Sequence, residues 1–210
     1  MRIYLLNFNG VQEEYEQITP LLSKQRLSYC EGKKNLNARL SSAYAYVLLR
    51  YAIKAETGEN FVPVFDYNEQ SKPSIVGSTL KFSLSHSENT VICVISEKEI
   101  GADIQYVRPI SLRAAEKFCT AEEYEKVLSS EDRDRESCRI WCIKESKGKL
   151  TGKGFQEGFS GFSADSLIDN SEAVCITYKN GYISVCSYKG QFEGSIDVLE
   201  ITTEKLLSAF

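Results

Sequence analysis

One histidine, no C-x-x-C pair, no P-loop and no long apolar run: each of these absences in the chain closes a class of function. The histidine, His86, lies in the stretch LKFSLSHSENTVICVI from Leu80 to Ile95. A Ser–His hydrolase would need that ring as its base, yet no G-x-S-x-G nucleophile elbow occurs. Ser85 and Ser87 are its sequence neighbours, so on a strand they point to the opposite face. The segment TGKGF lacks the spaced glycines and the Lys-Ser/Thr step that cradle phosphates. Among the seven cysteines a Cys/His zinc site would have to join Cys138 and Cys142 to distant partners. No apolar run approaches the roughly 20 residues of a membrane span. The opening MRIYLLNFNG has too short an apolar run for a signal peptide and reads as a first strand. These features lead us to expect reduced, mostly buried thiols and a cytoplasmic protein.

What is present is an ordinary globular composition, 42% hydrophobic and 26% charged over 210 residues, enough for one large domain or two small ones. A net charge of −4 argues against a broad nucleic-acid face. The charge is uneven. Lys144, Lys147, Lys149 and Lys153 lie between Trp141 and Gly154 against the single acid Glu145, and Lys33, Lys34 and Arg39 open a helical stretch. Such small basic groups suit either a compact anionic ligand or a solvated surface.

The pattern predicts a strand over RIYLLNF, a helix from about Asn35 to Glu56 ending before Gly58, and an extended, proline-broken segment from Phe61 to Ile75. Strand-like runs LKFSLSH, TVICVIS and IGADIQYV follow. TAEEYEKVL carries a capping-box pattern from Thr120 to Glu123, and a longer helix runs from about Ser130 to Lys149. The strands AVCITY, YISVCSY and SIDVLEI close the chain. Helices and strands do not alternate regularly, so the class is α+β. There is no long Gly/Ser linker, which places any junction between subdomains near residues 100–110.

Two places can carry chemistry. On a strand, Gly101, Asp103 and Gln105 share a face, which reads either as an exposed sheet face or as oxygen ligands for a hard cation beside space cleared by Gly101. On a helix, Glu145 falls on the apolar stripe of Cys138, Trp141 and Cys142, where an unpaired charge is costly. Lys149, four residues on, could pair with it. Otherwise Glu145 binds a cation and Lys149 meets an anion. Within its own stretch His86 shares a face with Phe82 and Leu84 and reads as a packed core residue.

In this order, Ser85-His86-Ser87, Gly101-Ala102-Asp103-Ile104-Gln105 and Trp141-x-x-Lys144-Glu145-Ser146-x-x-Lys149 resemble the signature elements of the Sfp-type 4′-phosphopantetheinyl transferases. Ser71-Lys72-Pro73 resembles a further element of that family. The resemblance runs from the Arg39 helix to about Phe162.

The resemblance implies transfer of the 4′-phosphopantetheine arm of coenzyme A to a serine of an apo acyl or peptidyl carrier protein, releasing adenosine 3′,5′-bisphosphate. The enzyme would be of the holo-acyl-carrier-protein synthase type. It implies two similar α+β subdomains, 1–104 and 105–210, in a pseudo-twofold arrangement with coenzyme A in the cleft between them, and a monomer. Asp103 and Glu145 would bind Mg²⁺, Lys149 would contact the pyrophosphate, and Glu145 or a water would take the serine proton. His86 and Ser85 would contact the 3′-phosphate side of coenzyme A, Lys72 the adenine and phosphates, and Arg39 the 3′-phosphate with Lys33 or Lys34. Gln105 stands where many members have a second acid, so it is expected to reach the metal through water or not at all. The other function classes are a non-catalytic coenzyme A or nucleotide-binding relative and a Mg²⁺-dependent phosphohydrolase.

Overall fold

Period-2 and period-3.6 patterns along the chain become strands and helices close to where they are expected. The computed structural model describes residues 1–192 and 195–210. The order is β1 (Arg2–Asn7), α1 (Gln12–Ile18), α2 (Lys24–Glu31), α3 (Leu36–Thr57), β2 (Phe65–Tyr67), β3 (Pro73–Ile75), β4 (Lys81–Ser87) and β5 (Thr90–Ser96). It continues with β6 (Ile100–Tyr106), α4 (Leu112–Ala115), α5 (Ala121–Ser129), α6 (Arg133–Thr151), α7 (Ala164–Asp169), β7 (Ala173–Tyr178), β8 (Gly181–Ser187), β9 (Asp197–Ile201) and α8 (Thr203–Leu207). The class is α+β.

Contacts divide the chain into Met1–Glu97 with Gly194–Phe210, and Lys98–Glu193. The boundary expected between residues 104 and 105 falls inside β6, and strand pairing explains the difference. β6 is hydrogen-bonded along its length to β8, from Ile100 opposite Ser187 to Tyr106 opposite Gly181, so it belongs wholly to the second unit. β9, expected in the second half, runs parallel to β1 from Arg2 opposite Asp197 to Leu6 opposite Ile201.

In the first unit the sheet order is β4-β5-β1-β9, and α3 packs against β5, β4 and β1. α3 starts where the Asn35 side chain accepts the Ala38 amide at 2.9 Å and stops at Gly58, whose φ of 76° is left-handed. Its buried Tyr44, Val47, Leu48 and Leu49 join Leu6, Val91 and Cys93 in one core. In the second unit α6 lies across the antiparallel sheet β6-β8-β7. The expected capping box is present on α5, with Thr120 and Glu123 exchanging hydrogen bonds. All seven cysteines are free and six are buried. Among the described residues no helix is long and apolar enough to cross a membrane.

Candidate functional site

In the second unit the site grows from one close approach. A side chain on Gly101 would collide with the Ser146 carbonyl and the Leu150 amide of α6. The space beside Gly101, expected to be open for a ligand, is thus filled by helix backbone. Glycine lets α6 lie directly on β6. Two residues along the same face, Asp103 is only 6% exposed, so the exposed-face reading is excluded. Its Oδ1 lies 2.6 Å from the Lys149 ammonium. The ion pair therefore reaches from helix to strand. Glu145, one turn before Lys149, is half-buried. Its carboxyl is held above the ordinary carboxylate range by burial first and the Asp103 charge second, with Lys149 opposing. Two carboxylates that feel each other, one of them buried, are a poor arrangement without a cation nearby. Lys149 supplies one. The Gln105 amide nitrogen donates to the Tyr106 carbonyl at 2.8 Å.

The residues fit Mg²⁺ on chemistry alone: the pair offers only oxygen, and this ion is usually held by one or two carboxylates together with substrate phosphates and waters. Among the described residues no group of three or more His, Cys, Asp or Glu is placed to hold a metal. Cys138 and Cys142 face backbone carbonyls, Cys138 those of Tyr106 and Arg108 and Cys142 those of Asp103 and Tyr182. They are packing thiols.

The lysine run on α6 is not a basic patch. Lys144 is fully buried and pairs with Glu123 at 2.5 Å; burial draws its pKa down against the pull of that partner. Lys147 pairs with Glu172 at 3.0 Å, and Lys149 with Asp103. Trp141 packs edge-on against Phe118 at 5.0 Å and tilted against Phe155 at 4.9 Å. Those rings border a cavity of about 520 Å³ that Arg108 and Lys117 also line.

In the first unit the Phe82, Leu84 and His86 face of β4 runs out of the core. Phe82 stacks on Phe65 at 5.3 Å, Leu84 is half-buried and His86 is exposed. The packed-core reading of His86 is therefore corrected: the strand's last residues leave the protected face. His86 and the buried Ser85 line a cavity of about 410 Å³ together with Lys33, Arg26 and Tyr29. Lys33 donates to the Tyr29 hydroxyl at 2.9 Å. Ser42, 6% exposed, lines the same cavity, and its hydroxyl has no partner among the described residues. Ser71 and Pro73 also line it, while Lys72 between them does not. Lys34 is exposed, and the Arg39 Nε donates to the Lys33 carbonyl at 3.2 Å; neither lines the cavity.

Sequence reasoning missed Arg26 and Tyr29, because α2 has weak apolar periodicity and no motif marks it. The available signal was the cap: Ser23 accepts the Arg26 amide at 3.1 Å. Arg26 is held by two bonds to the Ser42 carbonyl, at 3.2 and 2.8 Å, and its guanidinium sits 4.8 Å from the Tyr29 ring centre.

The chain is similar to known proteins along most of its length. Residues 99–197, which hold Asp103, Glu145 and Lys149, match the model of the 4′-phosphopantetheinyl transferase superfamily. A 4′-phosphopantetheinyl transferase of Bacillus subtilis, ffp, is 30% identical over 93% of this chain and 94% of its own length. Sfp, from strain 168 of the same species, is 30% identical over 72% of this chain and 70% of its own. The 4′-phosphopantetheinyl transferase psf-1 of Bacillus pumilus is 28% identical over 97% of this chain and 94% of its own length. With that identity carried over nearly whole chains, and Asp103, Glu145 and Lys149 brought to one strand–helix contact, this chain is an enzyme that belongs to the 4′-phosphopantetheinyl transferase superfamily.

Proposed function

We propose that the enzyme transfers the 4′-phosphopantetheine group of coenzyme A to a serine of an apo acyl or peptidyl carrier protein, with Mg²⁺, and releases adenosine 3′,5′-bisphosphate. The observation that carries this reading is the strand–helix contact in which Asp103 is buried, Lys149 lies 2.6 Å from it, and Glu145 sits one turn back along α6. When bound, Mg²⁺ supplies positive charge for the pyrophosphate oxygens.

Asp103 and Glu145 would hold that ion. Lys149, whose side chain is 30% exposed, would shift from Asp103 to a phosphate oxygen as charge builds on the leaving group. The carrier serine must lose a proton as its oxygen attacks the phosphorus. Glu145 would take it, directly or through a water, as the carboxylate nearest the proposed ion. The phosphoanhydride bond to adenosine bisphosphate breaks as the new serine–phosphate ester forms, so charge is conserved between acceptor and leaving group.

The cavity of the first unit offers the complement for an adenosine 3′-phosphate. Lys33 and Arg26, both seated over the Tyr29 ring, supply charge, and His86 with the Ser42 and Ser85 hydroxyls supplies hydrogen bonds. Lys72, Lys34 and Arg39 belong to the same proposal as flanking cations. So do the pseudo-twofold arrangement of two subdomains with the donor between them, a monomeric state and a cytoplasmic location. Arg108 and Lys117, beside an apolar cavity, suit the acidic surface of a carrier. The carrier would serve fatty acid, polyketide or nonribosomal peptide synthesis.

The test is incubation of the protein with Mg²⁺, coenzyme A and a panel of apo carriers, read by intact-protein mass spectrometry. The expected result is a carrier heavier by one phosphopantetheine arm. No mass gain on any carrier overturns the reading.

A further inference from the structure

We infer that Lys144 is a positioning residue for Glu145, acting through the rotation of α6 and not through contact with any ligand. The inference rests on the reading that Glu145 acts in transfer.

Lys144 precedes Glu145 and is 0% exposed. An ammonium has three donors, and each is met: the Phe118 carbonyl at 2.8 Å, the Phe159 carbonyl at 2.7 Å and the Glu123 carboxylate at 2.5 Å. No donor is left for a phosphate. The acceptors come from separate pieces of chain: the turn after α4, the first turn of α5 and the turn at Phe159–Gly161. Glu123 is itself held, its Oε2 by the Thr120 amide at 2.8 Å and its Oε1 by the Ala164 amide at 2.6 Å.

Ser146 follows Glu145 and is also 0% exposed. Its hydroxyl lies 2.9 Å from the Ser184 hydroxyl and 3.0 Å from the Cys186 thiol, both on β8. Successive helical residues project about 100° apart. Lys144 and Ser146 therefore fix α6 on two sides of its axis, and Glu145, between them, is left one direction in which to project. Gly148, one turn on, meets the Phe159 ring at 3.0 Å from where its Cβ would be, which also limits sliding of the helix. A buried ammonium is costly, and a well-packed apolar residue at such a site is often as stable. Stability alone thus gives this lysine no reason to be there; aim does.

The experiment compares the full-length protein with Lys144→Met, which keeps length and removes the donors, and with Glu123→Gln, which keeps shape and removes the charge. Steady-state transfer is measured against coenzyme A and against Mg²⁺. Mn²⁺ affinity is measured separately by electron paramagnetic resonance, a readout independent of turnover. In either folded variant kcat is expected to fall roughly 10- to 100-fold, with Mn²⁺ affinity weakened by a similar factor. KM for coenzyme A should stay within about twofold. The double variant is expected to be no worse than the poorer single one, because both break the same tie. A folded Lys144→Met protein with wild-type kcat and metal affinity overturns the inference, and so does one whose loss appears only in KM for coenzyme A. If Lys144→Met does not fold, Glu123→Gln is judged by the same two readouts. A wild-type protein that transfers nothing sinks the transferase reading instead, and the Mn²⁺ measurement then decides the positioning role alone.

Discussion

The Lys149 ammonium, near the end of α6, lies 2.6 Å from the carboxylate of Asp103 in the middle of β6. A lysine expected either to pair with Glu145 or to meet an anion is thus tied to the acid meant for the metal. The pair bridges two elements at the place where the helix lies directly on the strand.

Asp103→Asn keeps the shape and removes the charge. Transfer is expected to fall by roughly 10²-fold or more in kcat/KM, since a site-directed charge is lost. Stability should drop by only about 1–2 kcal/mol, because Lys149 can turn toward solvent and keep its hydration. Mass-spectrometric transfer assays and denaturant melts check both parts. Activity retained at the wild-type level would refute the metal assignment.

Glu145 carries a pH signature. Burial and the Asp103 charge hold its folded-state pKa above the ordinary carboxylate value, so the folded chain binds this proton more tightly than the unfolded chain. That contribution to stability is complete below the unfolded pKa and is lost as pH rises through the folded one. In buffer with a chelator, Glu145→Gln is expected to melt higher than the parent at pH 7. The gap should close as pH falls toward about 4, near the unperturbed value for glutamate. Circular-dichroism melts across that range decide it; a gap that grows toward acid contradicts the assignment.

His86 is exposed at the end of β4 and lines the first unit's cavity. His86→Ala should leave the melting transition within about 0.5 kcal/mol, as for other surface changes. Coenzyme A affinity should fall by about 1.5 kcal/mol, the worth of a hydrogen bond to a charged group, or roughly tenfold. Calorimetric titration measures this, and unchanged affinity removes His86 from the donor site.

Gly101→Ala tests the approach of α6 to β6. The new methyl would enter the space of the Ser146 carbonyl and the Leu150 amide, both backbone atoms that cannot turn aside. A loss of about 3 kcal/mol is expected, at the upper end for overpacking, together with reduced transfer as Glu145 is displaced from Asp103. A variant that melts like the parent would show that the helix can lift without cost.

The elements were legible because local chemistry encodes them. Asn35 and Gly58 mark the ends of α3, and Thr120 with Glu123 marks the start of α5. The ordered S-H-S, G-x-D and K-E-S-x-x-K elements carry the family resemblance in the sequence alone. α2 escaped because its residues lack a clear apolar stripe, and with it went Arg26 and Tyr29.

By itself, the sequence determined the class, the main strands and long helices and the family motifs, since capping, periodicity and motif spacing act over a few residues. Only the tertiary structure decided what those residues do to one another. That β9 returns to pair with β1 depends on long-range hydrogen bonding that strand patterns do not record. That His86 leaves the core while Asp103 enters it depends on what covers each sheet face. The four lysines after Trp141 look alike in sequence, yet burial and nearby acids separate Lys144, locked inside, from Lys149, held at the edge of the site. Charge is a property of the residue; its availability is a property of the fold.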